Sequence, residues 1–149
     1  MEHNNKLYLT SNDIVLFDNH YRYQISTIQT SVMLKKGTYI VILDNFETFC
    51  KELMFDTHLL IKIIGKELSC KSGINKMKQY YLQGHYTDIQ IKQIIYDFIQ
   101  KYLLCIACDK PEINLKYKNG KVKQKCRSCG NSIYLENVKE EIIHILKKS

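Results

Sequence analysis

Cys105-Ile-Ala-Cys108 and, further along, Cys126-Arg-Ser-Cys129-Gly130 are the stretches from which the architecture of this chain can be read. Each Cys-x-x-Cys unit is a knuckle that presents two sulfurs to one point, and the 17 residues between the units suit a tetrahedral all-thiolate zinc site. Gly130 supplies the tolerance for positive φ that such a turn needs. Between the knuckles, Asn119-Gly120 is a hairpin signal, with 115–117 and 121–125 as its strands. A redox dithiol and a catalytic zinc compete with this reading. A closed four-sulfur site leaves no coordination position for water, which favours one structural Zn2+ held by Cys105, Cys108, Cys126 and Cys129.

Working outward, the 149 residues suffice for one ordinary core plus a metal-stapled module. Apolar content of 45% with 25% charged residues excludes a disordered chain, and one Pro with six Gly excludes a linker-like composition. The longest apolar runs, 39–43 and 59–61, fall far short of a membrane span. With no basic, apolar leader at Met1, a cytoplasmic protein with reduced thiols is expected, a monomer on its own. Cys50 and Cys70 have no paired spacing and read as ordinary half-buried thiols.

Toward the N-terminus the patterns predict a mixed α+β body. Residues 1–20 show no clean periodicity and are expected to form a flexible arm. Residues 21–32 and 38–43 are rich in β-branched and aromatic side chains and predict a β-hairpin whose basic tip is Leu34-Lys-Lys-Gly37. Asn45 is a candidate cap for a helix over 46–53, and Asp56 for a second helix with Leu59, Leu60, Ile63, Ile64 and Leu68 on one stripe. The short link between them predicts a helix-turn-helix-like corner. Gly73 marks a break before two short strands, 74–77 and 79–82. Thr87-Asp-Ile-Gln90 has the form of a capping box, and Ile91, Ile94, Ile95, Phe98, Ile99 and Tyr102 extend its helix directly into the first knuckle. A last helix over 138–147 is supported by Asn137, early acids and late lysines. The expected division is an arm at 1–20, an α/β domain at 21–103, a four-cysteine zinc ribbon at 104–136 and a C-terminal helix at 137–149.

A net charge of +7, nearly all lysine, favours polyanionic surroundings such as RNA. Lys121, Lys123 and Lys125 alternate along the second ribbon strand, which places them on one face. That face suits phosphate contact, and it equally suits a solvated edge strand protected by lysines. Lys35 and Lys36 at the hairpin tip can reach an RNA backbone or simply keep the turn soluble. Only Arg22 and Arg127 are guanidinium groups. Arg22 lies in Tyr21-Arg22-Tyr23, where stacking between tyrosines competes with presentation to a partner, since guanidinium inserted in trans stabilises charge in phosphoryl transfer.

From about Asp18 to Lys148 the chain resembles the N-terminal domain of eukaryotic translation initiation factor five and, more distantly, the beta subunit of initiation factor two. The resemblance rests on Tyr21-Arg22-Tyr23, Asn45, Lys62 with Gly65 and Glu67-Leu68, Phe98-Ile99, the four cysteines, Pro111-Glu112 and Ile145-Leu146-Lys147. It departs from the family at Ser26, where proline is usual, and at Ile40, where lysine is usual. The resemblance implies an α/β body followed by a zinc ribbon. It implies no active site of the chain's own, but a GTPase activator for initiation factor two carrying GTP and initiator tRNA on the small ribosomal subunit during start-codon selection. Arg22 maps onto the family's essential arginine and Lys62 onto a helix lysine implicated in the same activity. Lys35 and Lys36 map onto a loop that approaches the initiator tRNA and the mRNA start codon. The alternative is an adaptor resembling the beta subunit, which binds the gamma subunit, tRNA or ribosome without stimulating hydrolysis.

Overall fold

The structure, a computed structural model, describes residues 28–108 and 112–148 together with the backbone of strands at 6–9, 14–15 and 24–26. Among the described residues it is an α+β protein with three antiparallel sheets and four α-helices. Compactness groups residues 27–95 as one unit and residues 1–26 with 96–149 as another.

In the first unit, β4 (Thr30–Lys35), β5 (Thr38–Leu43), β6 (Ser72–Ile74) and β7 (Tyr80–Gln83) form a sheet in the order β4-β5-β7-β6. The β4–β5 hairpin turns through Lys36 and Gly37, both at positive φ (50° and 79°), as the two-residue turns that match strand twist require. Val41 opposes Leu82 and Leu43 opposes Tyr80, so these four share one face, and all are buried. The helices α1 (Phe46–Leu53) and α2 (Thr57–Leu68) pack on each other, and α2 packs on β6 and β7. The Phe46 and Tyr80 rings pack at a tilt with centroids 5.2 Å apart, and the Tyr80 hydroxyl donates to Thr57 Oγ1 at 3.1 Å.

The helix ends show which local signals hold. Asp56 Oδ1 accepts from the amides of His58 (2.8 Å) and Leu59 (3.1 Å), as a cap should. Asn45 does not cap α1: its side-chain oxygen instead accepts the Gln29 amide at 2.8 Å and so joins the start of α1 to the chain entering β4. Thr87 and Gln90 close the expected capping box on α3 (Asp88–Phe98), with Gln90 N–H to Thr87 Oγ1 at 3.2 Å and Thr87 N–H to Gln90 Oε1 at 2.8 Å. Gly65 is buried in α2, where a Cβ would lie 2.7 Å from that of Ser72, so the helix approaches β6 only because no side chain intervenes.

Two expectations are corrected. The stretch 21–32 is not one strand: β3 (Gln24–Ser26) pairs with β1 (Lys6–Leu9), in a different sheet from β4. Gly73 is no break but the middle of β6, opposite Tyr81. The turn follows it at 75–79, where Asn75 Oδ1 accepts from the amides of Met77 and Gln79, each at 2.9 Å.

In the second unit, β1 pairs with both β2 (Ile14–Val15) and β3, so the segment expected to be a flexible or loosely docked arm contains two short strands. Elements of four and two residues are too short to show the alternation that marks a strand. Past α3 the helix widens into a π turn over Ile99–Leu103, closed by the Leu104 amide on the Ile99 carbonyl at 3.0 Å. The ribbon follows as β8 (Ile113–Lys118), β9 (Lys121–Cys126) and β10 (Ser132–Leu135) in the order β10-β9-β8. The helix α4 (Glu140–Lys147) packs on β8. It starts two residues later than expected, because Asn137 takes a left-handed conformation (φ 58°) and caps nothing.

Candidate metal centre and basic faces

The first knuckle leaves the π turn at Cys105 and the second leaves the end of β9 at Cys126, so the cysteines come from both ends of the ribbon hairpin. Asn119 and Gly120 turn that hairpin with φ of 52° and 79°. The Cys105 and Cys129 sulfurs lie 3.6 Å apart, those of Cys108 and Cys126 lie 3.7 Å apart, and all four fall within 4.8 Å of one another. A tetrahedral ion with bonds of about 2.3 Å to sulfur requires sulfur pairs about 3.8 Å apart, so the two close pairs already have the spacing of a zinc site and the remaining pairs lie within about 1 Å of it.

The backbone is arranged for thiolates. Amides of Ser128 and Cys129 each donate to Cys126 Sγ at 3.4 Å, and Ala107 does the same for Cys105. Burial pushes the Cys126 thiol up, but the amides of Cys129 and Ser128 and the contact with Cys108 outweigh it and bring it to about 7. The Gly130 amide closes the second knuckle on the Cys126 carbonyl at 3.1 Å with φ of 79°, a conformation that only glycine adopts cheaply. Arg127, between two ligands, donates to the Ile113 carbonyl at 3.2 Å and ties the knuckle to β8.

Lys121, Lys123 and Lys125 lie on one face of β9, while Val122, Gln124 and Cys126 are buried on the other. Because β9 is the middle strand of its sheet, protection of an edge does not explain the lysines. Lys121 faces Lys118 and Lys123 faces Lys116 directly across the ladder, an arrangement that costs stability through like-charge repulsion. On the other flank Tyr134 of β10 lies beneath both, its ring centre 6.0 Å from each Nζ of Lys121 and Lys123. The strand β10 is absent from the expectations, although Ser132-Ile-Tyr-Leu135 does alternate, with Ile133 and Leu135 half-buried. Four residues after a glycine turn carry little weight by pattern alone.

The remaining candidates lie elsewhere. Lys35 and Lys36 are exposed at the tip of the β4–β5 hairpin, and Lys62 projects from α2 between the buried Ile61 and Ile63. Arg22 lies outside the described residues. Among the described residues no helix is long and apolar enough to cross a membrane.

An α/β body and a ribbon holding four clustered cysteines define the class of fold to which the chain belongs. A family described as a domain found in initiation factors 2B and 5 matches residues 13–132. The chain belongs to this family of translation initiation factor domains. Relatives include eukaryotic translation initiation factor 5 of Caenorhabditis elegans, 27% identical over 120 residues, covering 80% of this chain and 28% of that protein. The corresponding factor of Dictyostelium discoideum is 29% identical over 76% of this chain and 28% of its own length. Translation initiation factor 2 subunit beta of Methanococcus vannielii is 31% identical over 60% of this chain and 64% of its own. The chain therefore matches little more than a quarter of the factor 5 relatives.

Proposed function

We propose that this chain is a GTPase-activating domain for initiation factor two, acting on its gamma and beta subunits with GTP and initiator tRNA during start-codon selection on the small ribosomal subunit. The observation that carries the reading is the family match over residues 13–132, which takes in Tyr21-Arg22-Tyr23 as well as the cysteine cluster. Arg22 acts in trans, offering its guanidinium to the charge that develops during phosphoryl transfer, and exposed Lys62 assists. Zn2+ on Cys105, Cys108, Cys126 and Cys129 holds the ribbon's shape and takes no part in the chemistry. Lys121, Lys123 and Lys125 contact RNA phosphates, as do Lys35 and Lys36 near the tRNA and the start codon.

A single-turnover GTPase assay on reconstituted cytoplasmic initiation complexes tests this. The native chain is expected to accelerate hydrolysis, toward the roughly 10³ to 10⁵ range that arginine fingers supply in other systems. Arg22→Ala should bind the complex and leave the rate at its basal value; equal rates for the two proteins would refute the proposal. The matches to archaeal beta subunits support a second reading, an adaptor that binds without stimulating hydrolysis. Stable, stoichiometric capture by isolated gamma subunit, with no acceleration, is its signature.

A further inference from the structure

The face of the four-stranded sheet opposite the buried one bears a groove of about 580 Å³ within residues 27–95. Its floor follows from the register: Met33 opposes Ile40, and Ile42 opposes Tyr81, so all four share this face. Met77, 76% exposed, forms one wall. That wall is preformed, because Asn75 accepts two amides of the turn and donates from Nδ2 to Gln79 Oε1 at 3.0 Å. Lys35, Lys71 and Lys76 complete the lining, and among the described residues it includes no carboxylate.

We propose that this groove binds an acidic peptide segment with apolar anchors. The chemistry of the lining decides between the polyanions that three lysines attract. Single-stranded nucleic acid binds on successive aromatic platforms, and this floor offers one ring, Tyr81, amid methionine and isoleucine. Flexible thioethers and branched methyls instead accommodate leucine, isoleucine or phenylalanine side chains, while the lysines meet flanking carboxylates. Four strands at about 4.8 Å spacing span roughly 15 Å, which matches about ten residues of helix at about 1.5 Å each. The lining includes neither Arg22 nor a ribbon lysine, and Lys35, the one residue it shares with the RNA-contact reading, is left unchanged in the variants below, so its fate does not follow that of the GTPase reading.

Fluorescence anisotropy tests the proposal, using the full chain and three labelled probes. These are a ten-residue peptide with Leu and Phe at helical spacing (i, i+3, i+4, i+7) and Glu between them, its Gln-for-Glu analogue, and a ten-nucleotide oligouridylate. The acidic peptide is expected to saturate a single site and to weaken as salt rises. It should bind at least tenfold more tightly than the Gln analogue and lose at least tenfold on Lys71→Glu/Lys76→Glu, two exposed positions outside the core. Methyl NMR signals of Met33, Ile40, Ile42 and Met77 should shift while those of the ribbon do not. Three results would each overturn the proposal: no saturable binding, equal affinity for the Gln analogue, or tighter binding of the oligonucleotide at these same methyls.

Discussion

At Cys50 the chemistry of one side chain follows from its place on α1. It lies on the buried stripe with Phe46, Phe49 and Leu53, so the thiol expected to be half-buried is fully enclosed. Burial above all, then the charges of Asp56 and Glu47, pushes its thiol from 9.0 up to about 12. The fold therefore holds the neutral thiol, whereas the unfolded chain ionises near 9.0. Stability from this group is complete below about pH 9 and falls as pH rises toward about 12, because unfolding then releases a proton. Urea midpoints measured from about pH 8 to about pH 10.5 should fall more steeply for the native chain than for Cys50→Ala, whose lower starting stability reflects the lost packing. Parallel slopes would mean that the thiol ionises in the folded state. Gly65 shows another limit of legibility. The family resemblance included it, but only the approach of Ser72 explains why a side chain is excluded there.

At the scale of elements, several signals carried by a few adjacent residues survived, although the Asn45 and Asn137 caps and the Gly73 break did not, and those that depend on distant partners were not legible. The Asp56 cap, the Thr87–Gln90 box and the Asn119-Gly120 turn are local chemistry and appear as expected. Residues 21–32 have strand composition throughout, yet composition does not say which sheet each part joins, and β3 and β4 part company. The π turn was equally hidden, since the stripe through Ile99 and Tyr102 reads as uninterrupted helix. Its partner is Gln124, 3% exposed on β9, whose Nε2 donates to the Tyr102 carbonyl at 2.6 Å. Gln124→Leu removes that donor from a buried carbonyl and should cost about 1–3 kcal/mol. Gln124→Glu, which sets a carboxylate against the carbonyl, should cost at least as much. Denaturation midpoints give the cost, and amide exchange at Leu104, bonded across the π turn, should rise with it. A loss below about 0.5 kcal/mol for both variants would show that the bond is dispensable.

For the whole molecule, the cysteine spacing made the four-sulfur cluster legible, whereas the two compact units depend on contacts that no spacing records. Residues 27–95 bury Phe46, Phe49, Leu60, Ile64, Leu82 and Ile91 with no help from a metal. The ribbon strands themselves bury only Ile113, Leu115 and Val122, and their unit adds Phe98, Ile99, Tyr102 and Leu103 with Ile142, Ile145 and Leu146 of α4. A structural zinc contributes about 10–16 kcal/mol in small modules, which matches or exceeds the roughly 5–15 kcal/mol total stability of an ordinary domain. Removing it should therefore unfold the ribbon outright and not merely loosen it. In hydrogen exchange with a strong chelator, amides of β8, β9 and β10 should lose protection in one step, with α4 following because it packs on β8. Amides of β5, β7 and α2 should keep theirs, since their side chains are buried in the other unit. Re-adding one equivalent of Zn2+ should restore the pattern. Protection retained in β9 after chelation would show that the sulfur cluster is held by packing alone, while simultaneous loss in α2 would show that the metal supports the entire chain.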